Sequence, residues 1–388
     1  MTIRAVIFDI SGTILNRQGQ LVSGIQAVIA QLHFWNIDVF FATNNLTNAV
    51  LLQSMLPLEW SRFLFPQRVG GKKGTRQFIK YVCSSLQLAA NAILYVGDAV
   101  HDFYEACNSN VLFFRAAWAN PILHYGIPVD TPSDFLTFVQ TFFLKEALWY
   151  YSIEEKDDLG RDVQVRALLD SDLAKVTSIT PFIKSNGTTN KKLVKGFQNG
   201  RYLTFHLLAS MYLEGLHLKG GSEGSIWCLY PGHDGQYGTV LNAFITLNAA
   251  LFHNQHQRQL IVRHSEASSS SQIRIKHGNP TIDIQLQTIH LNPALRAEIM
   301  HRSIIVLDDF TTNAYGFETA RNFLLNAGAS SVISIAVGKY GKTYDAFYPK
   351  SEVCWDSFLP APLCEDDFSF TGIAGHIDQH ALHPFTQP

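Results

Sequence analysis

The chain has 388 residues, 47% of them hydrophobic and 16% charged, and its formal net charge is −2. That length suits two or three domains with large cores in a soluble globular protein, and the near-zero charge leaves no footprint for nucleic acid or an anionic membrane surface. Five cysteines (Cys83, Cys107, Cys228, Cys354, Cys364) form no CxxC pair and sit mostly in apolar surroundings, as reduced thiols do, so a cytoplasmic setting is expected. The opening run Met1-Thr-Ile-Arg is interrupted too soon for a signal peptide, and no run of 18 apolar residues predicts a membrane span.

In chain order, residues 1–147 alternate strand and helix patterns. Strands are predicted at Arg4–Phe8, Asp38–Ala42, Ala92–Val96 and Val111–Ala116, with helices at Val22–Phe34, Leu46–Ser54 and Gly74–Leu86. A closing helix runs from Phe135 to about Tyr150. Residues 148–200 are polar and irregular and predict a linker growing into a hood. In residues 201–343 the rhythm resumes with helices at Tyr202–Glu214, Thr239–His253, Asn292–Met300 and Gly316–Ala327. Its strands are Gly224–Tyr230, Gln259–His264, Ile282–His290, Ser303–Leu307 and Ser331–Val337. Residues 344–388, rich in Pro, His and Phe, predict a tail. The expected fold class is α/β, with two Rossmann-like, doubly wound parallel-sheet domains. Ligands in such sheets bind at the carboxyl ends of strands, so function should lie in the residues directly after each apolar run.

In the first domain four motifs stand in order: Asp9-Ile-Ser11-Gly12-Thr13 after a strand, Thr43-Asn44-Asn45 after the next, Lys72-Lys73-Gly74 expected to open a helix, and Gly97-Asp98 followed by Asp102. Together they resemble the haloacid dehalogenase-like (HAD) phosphohydrolase superfamily over about residues 1–145. A phosphomonoester resists attack because both partners are anionic, so a carboxylate nucleophile needs a cation beside it. The resemblance implies Asp9 as nucleophile and Mg²⁺ held by Asp9, Asp98 and the backbone oxygen at Ser11, with Asp102 orienting the metal's water shell. It also implies Thr43 and Asn44 on the phosphoryl group and Lys73 as the neutralising cation, Lys73 being preferred to Lys72 because it directly precedes the glycine. Ser11 occupies a position where the superfamily's phosphatases usually carry a second aspartate as general acid and base. A serine hydroxyl is too weak an acid for that work near neutral pH. Only about 30 residues separate Thr13 from Thr43, so a capless domain with an open cleft is expected.

The later run Ser303-Ile-Ile-Val-Leu-Asp308-Asp309-Phe-Thr311-Thr312-Asn313-Ala314-Tyr-Gly316 resembles the phosphoribosyl-pyrophosphate (PRPP) motif of type I phosphoribosyltransferases (PRTases), over about residues 195–340. The resemblance implies Asp308 and Asp309 on the ribose hydroxyls. A 5′-phosphate would lie in a cradle of the turn Thr311–Asn313, the Thr312 hydroxyl and the helix N-terminus near Gly316. Arg263 would meet the pyrophosphate, and Ser265–Lys276 would be a mobile loop. Two departures are visible: Asn313-Ala314 stands where the family usually has Thr-Gly, and Gly316 where it has Ser or Thr.

The sequence therefore predicts a bifunctional, Mg²⁺-dependent enzyme acting on a phosphorylated small molecule, PRPP or a nucleotide, with phosphate-ester hydrolysis coupled to phosphoribosyl transfer. No nucleic-acid or membrane partner is expected, and a homo-oligomer is compatible with the chain. The rival reading is a regulatory nucleotide- or PRPP-binding protein for stress response or defence, in which Ser11, Asn313 and Ala314 mark weakened catalysis. A third is a phosphatase whose later domain only selects nucleotides. The His-rich stretches at His253–His256 and His376–His383 show no converging ligand set and are not assigned a role.

Overall fold

The first apolar run, Ala5–Asp9 (β1), is buried along its whole length and lies inside a sheet, where strands covered on both faces belong. The computed structural model describes residues 2–170, 201–220, 224–252, 255–256, 259–267 and 281–382. The chain forms two units. The first runs to Glu146 and also takes in Ala209–His217 and a short stretch from Ala250, and the second holds the rest.

In the first unit β1 is followed by α1 (Ile25–Phe34), β2 (Asp38–Ala42), α2 (Leu46–Met55), β3 (Phe63–Leu64), α3 (Pro66–Val69) and α4 (Gln77–Leu86). Then come β4 (Ile93–Gly97), α5 (Val100–Asn108), β5 (Leu112–Ala116), β6 (Ile127–Val129) and α6 (Pro132–Phe142). The six strands are all parallel in the order β3-β2-β1-β4-β5-β6. The chain winds outward on one side of β1 and then on the other. The strand order therefore reverses between β1 and β4, the place where such sheets open a crevice at their carboxyl ends.

Several helix boundaries differ from expectation, α1 beginning at Ile25 rather than Val22. The closing helix begins earlier, because the Thr131 hydroxyl caps it by accepting from Asp134 N at 3.1 Å and Pro132 fits the first turn. It ends at Phe142 rather than Tyr150, and Tyr151 instead opens a strand. Lys73-Gly74 does not open a helix: α4 starts at Gln77, after Arg76 in a left-handed conformation (φ 70°).

The stretch 148–200, expected as a linker, carries the antiparallel strands β7 (Tyr151–Lys156) and β8 (Asp162–Asp170) in its described part. Its polarity serves the turn between them, where the buried Asp157 carboxylate accepts from Leu159 N and Arg161 N (3.0 Å each) and from Arg161 Nε (2.8 Å). The second unit continues with α7 (Arg201–Glu214, partly in the first unit), β9 (Ile226–Leu229), α8 (Thr239–Phe252), β10 (Gln255–His256), β11 (Ile261–Arg263), α9 (Asp283–Leu286), β12 (Ile289–Leu291) and α10 (Arg296–Ile299). It ends with β13 (Ser303–Thr311), α11 (Tyr315–Asn326), β14 (Ser331–Lys339), β15 (Thr343–Pro349), β16 (Phe368–Ala374) and β17 (His376–Ile377). Seven strands form a sheet in the order β10-β9-β13-β14-β8-β7-β17. The first five are mutually parallel, β7 runs antiparallel to β8, and β17 closes the edge antiparallel to β7.

The expected tail is likewise built into the fold, since β15 pairs with β16 and β17 extends the sheet at β7. A buried polar cluster ties it down. Glu318 of α11 accepts from Arg321 Nε (2.9 Å) and Nη2 (2.7 Å), from Tyr344 OH (2.9 Å) and from Phe347 N (2.9 Å), while Arg321 Nη1 donates to Asp157 at 3.0 Å. Ile282–His290, expected as one strand, is a helical turn followed by β12. The alternation Ile282-Asp-Ile284-Gln-Leu286 fits a strand, but Gln285 and Thr288 are drawn onto Arg263, which favours the coiled arrangement.

Candidate active site

Asp9 ends β1 and Asp98 directly follows β4, so two adjacent parallel strands deliver both carboxylates to one edge of the first sheet. Asp102 comes back to the same place from the first turn of α5. One carboxylate oxygen from each of the three lies within 4.8 Å of the others. Lys73 reaches in from the loop before α4, bonding the Asp9 carboxylate and lying 2.8 Å from Asp102 Oδ1. Lys72 is exposed, so of the two lysines it is Lys73 that joins the cluster.

Asp102 is fully engaged, accepting from Tyr95 OH (3.1 Å) and Ala99 N (3.0 Å) besides Lys73. Asp9 is not: its Oδ2 is buried with no hydrogen-bond partner. Burial first, and then the Asp102 charge, push the Asp9 carboxyl well above the usual carboxylate range despite Lys73. Asp98 is raised in the same way, by burial and by Asp102. Burial alone would lower the Lys73 ammonium, but Asp9 and Asp102 outweigh it and hold it above its ordinary value. Three carboxylates against one ammonium leave an excess of negative charge in a water-poor place. The orphaned Asp9 oxygen and the hard oxygen donors fit a divalent cation such as Mg²⁺.

The surrounding chain keeps space for such a group. Gly12 has φ 94°, and a Cβ there would overlap the Asp98 carboxylate. Asp98 is steadied by Thr13 Oγ1 at 3.4 Å and by Asn120, whose amide donates to its carbonyl at 2.9 Å. Thr43 is buried at the end of β2, its hydroxyl accepting from Asn45 N at 3.0 Å. The Asn44 side chain accepts from Lys73 N at 3.0 Å and so holds the lysine loop. Ser11 is exposed and accepts from Asn48 Nδ2 at 2.7 Å. A cleft of about 600 Å³ adjoins this edge, lined among others by Ser11, Gly12, Asn48, Asp98 and Trp118.

Sequence reasoning missed the supports. Glu105 is fully buried and accepts from the backbone N–H of Gly74 (2.7 Å), Arg76 (3.0 Å), Phe78 (3.0 Å) and Ile79 (3.2 Å), which fixes the loop carrying Lys73. Its signal was present: Asp102 and Glu105 are three apart on a helix, hence on one face, and that face is otherwise apolar. Tyr95 and Asn48 carried no such signal.

The later motif is also on a strand edge, but not as expected. β13 continues to Thr311 because β14 pairs with it that far (Thr311 with Lys339), whereas β9 stops opposite Leu307. Asp308 and Asp309 therefore lie inside the strand, past the end of one neighbour. Each bonds locally: Asp308 Oδ1 accepts from Asp309 N (2.8 Å) and Asp309 Oδ1 from Phe310 N (2.7 Å). The Thr311 side chain is buried, and the turn Thr312–Ala314 leads into α11. Lys339 Nζ donates to the Thr312 carbonyl (2.7 Å) and to those of Tyr340 (2.6 Å) and Thr343 (2.9 Å). Ala314 is left-handed (φ 68°), the conformation for which glycine is favoured. At Gly316 a Cβ would come within 3.0 Å of the Tyr230 ring, so the lost hydroxyl there has a steric cause. Arg263 is committed to its own fold: Nε donates to Gly232 O (2.8 Å), Nη2 to Gln285 (2.8 Å) and Nη1 to Thr288. Asn313 is half-buried in the turn. The expected mobile loop lies, from residue 268 onward, outside the described residues, as do His253 and residues 383–388.

No family model matches the sequence, and no curated protein matches it. Solved structures do share part of the chain. A HAD-superfamily hydrolase of subfamily IA from Geobacter sulfurreducens is 14% identical, covering 35% of this chain and 98% of its own, with a TM-score of 0.31. The cobalt-bound deoxy-D-mannose-octulosonate 8-phosphate phosphatase from Haemophilus influenzae is 16% identical over 36% of this chain and 87% of its own, TM-score 0.30. The D,D-heptose 1,7-bisphosphate phosphatase from B. bronchiseptica, complexed with magnesium and phosphate, is 10% identical over 36% and 98%, TM-score 0.30. With scores this low, the chemistry of this chain rests on its own residues.

Proposed function

We propose that the first unit hydrolyses phosphomonoesters with Asp9 as nucleophile and a divalent cation, Mg²⁺ by its donor set, held by Asp9, Asp98 and the Ser11 backbone. Asp102 would position Lys73 and the cation's water shell. The observation that carries this reading is the buried, partnerless Asp9 Oδ2 within a triad of carboxylates that a single lysine leaves undercompensated. A bound divalent cation would keep Asp9 ionised and neutralise the phosphoryl charge. Asp9 then attacks phosphorus, the ester P–O bond breaks, and its electron pair leaves on the alcohol oxygen, which takes a proton from water. Water next hydrolyses the aspartyl phosphate, freeing phosphate and restoring Asp9. Thr43 and Lys73 bind the phosphoryl oxygens, and Asn48 leaves the Ser11 hydroxyl hydrogen available to the leaving group.

For the second unit the reading supported by the sequence motif is binding of PRPP or a nucleotide along Asp308, Asp309 and the Thr312–Ala314 turn, with α11 aiming its N-terminus at phosphate. Transfer there would break the ribose C1–pyrophosphate bond and form an N-glycosidic one. Ala314 in a left-handed conformation and the commitment of Arg263 favour the rival reading for this half, a binding site that senses its ligand without turnover.

The test is release of inorganic phosphate from phenyl phosphate with and without Mg²⁺. Turnover that needs the metal and falls by at least ~10³ in Asp9→Asn, as removal of a covalent nucleophile does, supports the hydrolase. Metal-independent turnover, or none in the wild type, overturns it.

A further inference from the structure

The cleft beside Asp98 is lined also by residues 15–19 and by Trp118. Its charged side chains are Asp98, which belongs to the catalytic cluster, and Arg17. Arg17 is exposed, and among the described residues its guanidinium has neither a carboxylate nor a carbonyl partner. It does not sit on a loose loop. Asn16 Oδ1 accepts from Gln18 N and Gln20 N (2.9 Å each), Asn16 N donates to Gln20 O (2.9 Å), and Gly19 N donates to Asn16 O (2.9 Å). Leu15 joins this turn to the strand end through bridges to Ser11 and Leu21, so the turn is anchored two residues from the nucleophile. Trp118 also lines the cleft, its indole fixed by Nε1–H donating to Thr13 O at 3.0 Å.

We infer that the leaving group of the substrate carries a second anionic group, a carboxylate or phosphate, which Arg17 receives while the body of the leaving group lies along Trp118. The inference rests on the phosphomonoesterase reading and specifies its substrate class. A guanidinium offers a planar fork of donors matched to such an anion, and the hydrogen-bonded turn fixes the backbone from which Arg17 reaches. The indole face and Leu15 suit a flat or apolar spacer between the two anions. Substrates with a neutral leaving group would leave the cation unpaired and gain nothing from it.

A matched pair of substrates tests this: phenyl phosphate and 4-carboxyphenyl phosphate, whose leaving groups differ by one carboxylate. The wild type should prefer the carboxylated ester by ~10-fold in kcat/KM, mostly through KM, the size expected of one charge-assisted hydrogen-bonded contact. Arg17→Gln should bring that ratio to about one, Arg17→Lys should keep part of it, and Arg17→Glu should invert it. Equal use of both esters by the wild type, or a ratio unchanged in Arg17→Gln, overturns the inference and leaves the hydrolase reading standing. Hydrolysis of neither ester overturns both.

Discussion

Under the hydrolase reading, Ser11 stands two residues beyond Asp9 where a carboxylic acid would serve as acid and base, and its surroundings would accept one. Asn48 donates to the Ser11 hydroxyl at 2.7 Å, a contact that a carboxylate would accept equally well. Ser11→Asp is therefore expected to fold and to raise kcat/KM, which reports the step that breaks the ester bond, for an alkyl phosphate by ~10-fold or more, up to the usual ~10²–10⁴ reach of general acid–base help, with little gain for p-nitrophenyl phosphate, whose leaving group needs no proton. Steady-state rates on the two esters decide it. Ala314 is a second such residue, left-handed at φ 68° because the turn into α11 demands it. Ala314→Gly should stabilise the second unit by about 1 kcal/mol in urea unfolding, since glycine adopts that conformation without a Cβ clash.

Among the elements, α5 does the most to build the site. Its first turn supplies Asp102 and its next turn Glu105, so one helix face both meets Lys73 and fixes the loop that carries it. The helical start at Gln77 needs this help, because Arg76 is left-handed and provides no side-chain cap of its own. Burial raises the Glu105 carboxyl, while the backbone N–H groups pull the other way and favour its charge. Glu105→Gln keeps the size but exchanges two acceptor oxygens for one, leaving some of the four donors unsatisfied. A loss of about 2 kcal/mol in stability is expected, together with a fall in kcat, because Lys73 loses its fixed approach. Unfolding midpoint and turnover measured on one preparation check both.

For the whole molecule, the first unit is discontinuous in sequence. Tyr212 of α7 accepts from Leu112 N at 3.1 Å and donates to the Ala90 carbonyl at 2.9 Å, and His217 stacks on its ring with centroids 4.8 Å apart. Burial lowers His217 from its ordinary 6.5 to about 4, against the opposing bond to Asn110 O, so the folded state holds the ring neutral. Below pH 6.5 the unfolded chain takes up a proton that the folded chain refuses, so stability present above 6.5 is lost as pH falls toward 4. The full difference is about 3 kcal/mol. His217→Phe should flatten this acid limb between pH 6.5 and 4 in urea titrations. An unchanged limb would assign it to other groups.

Four spaced motifs and the period of the apolar runs were enough to place β1, β2, β4 and β5 and to single out Asp9, Asp98, Asp102 and Lys73, because parallel strands buried on both faces read as apolar runs and their ends are where ligands gather. The edge strands β3 and β6, two and three residues long, carry too short a pattern to be read. The sequence did not contain, in any local pattern, the membership of β7, β8 and the C-terminal strands in the second sheet. Glu318 and Arg321 are three apart on α11 and meet locally, whereas Asp157 lies far from Arg321 in the chain and on a separate element, and only packing brings that pair together. The same holds for Tyr95 on Asp102 and Asn48 on Ser11, contacts between side chains with no fixed spacing. Local propensity decides which residues can form an element. Which buried polar groups find partners, and which one oxygen of Asp9 does not, is decided by tertiary structure alone.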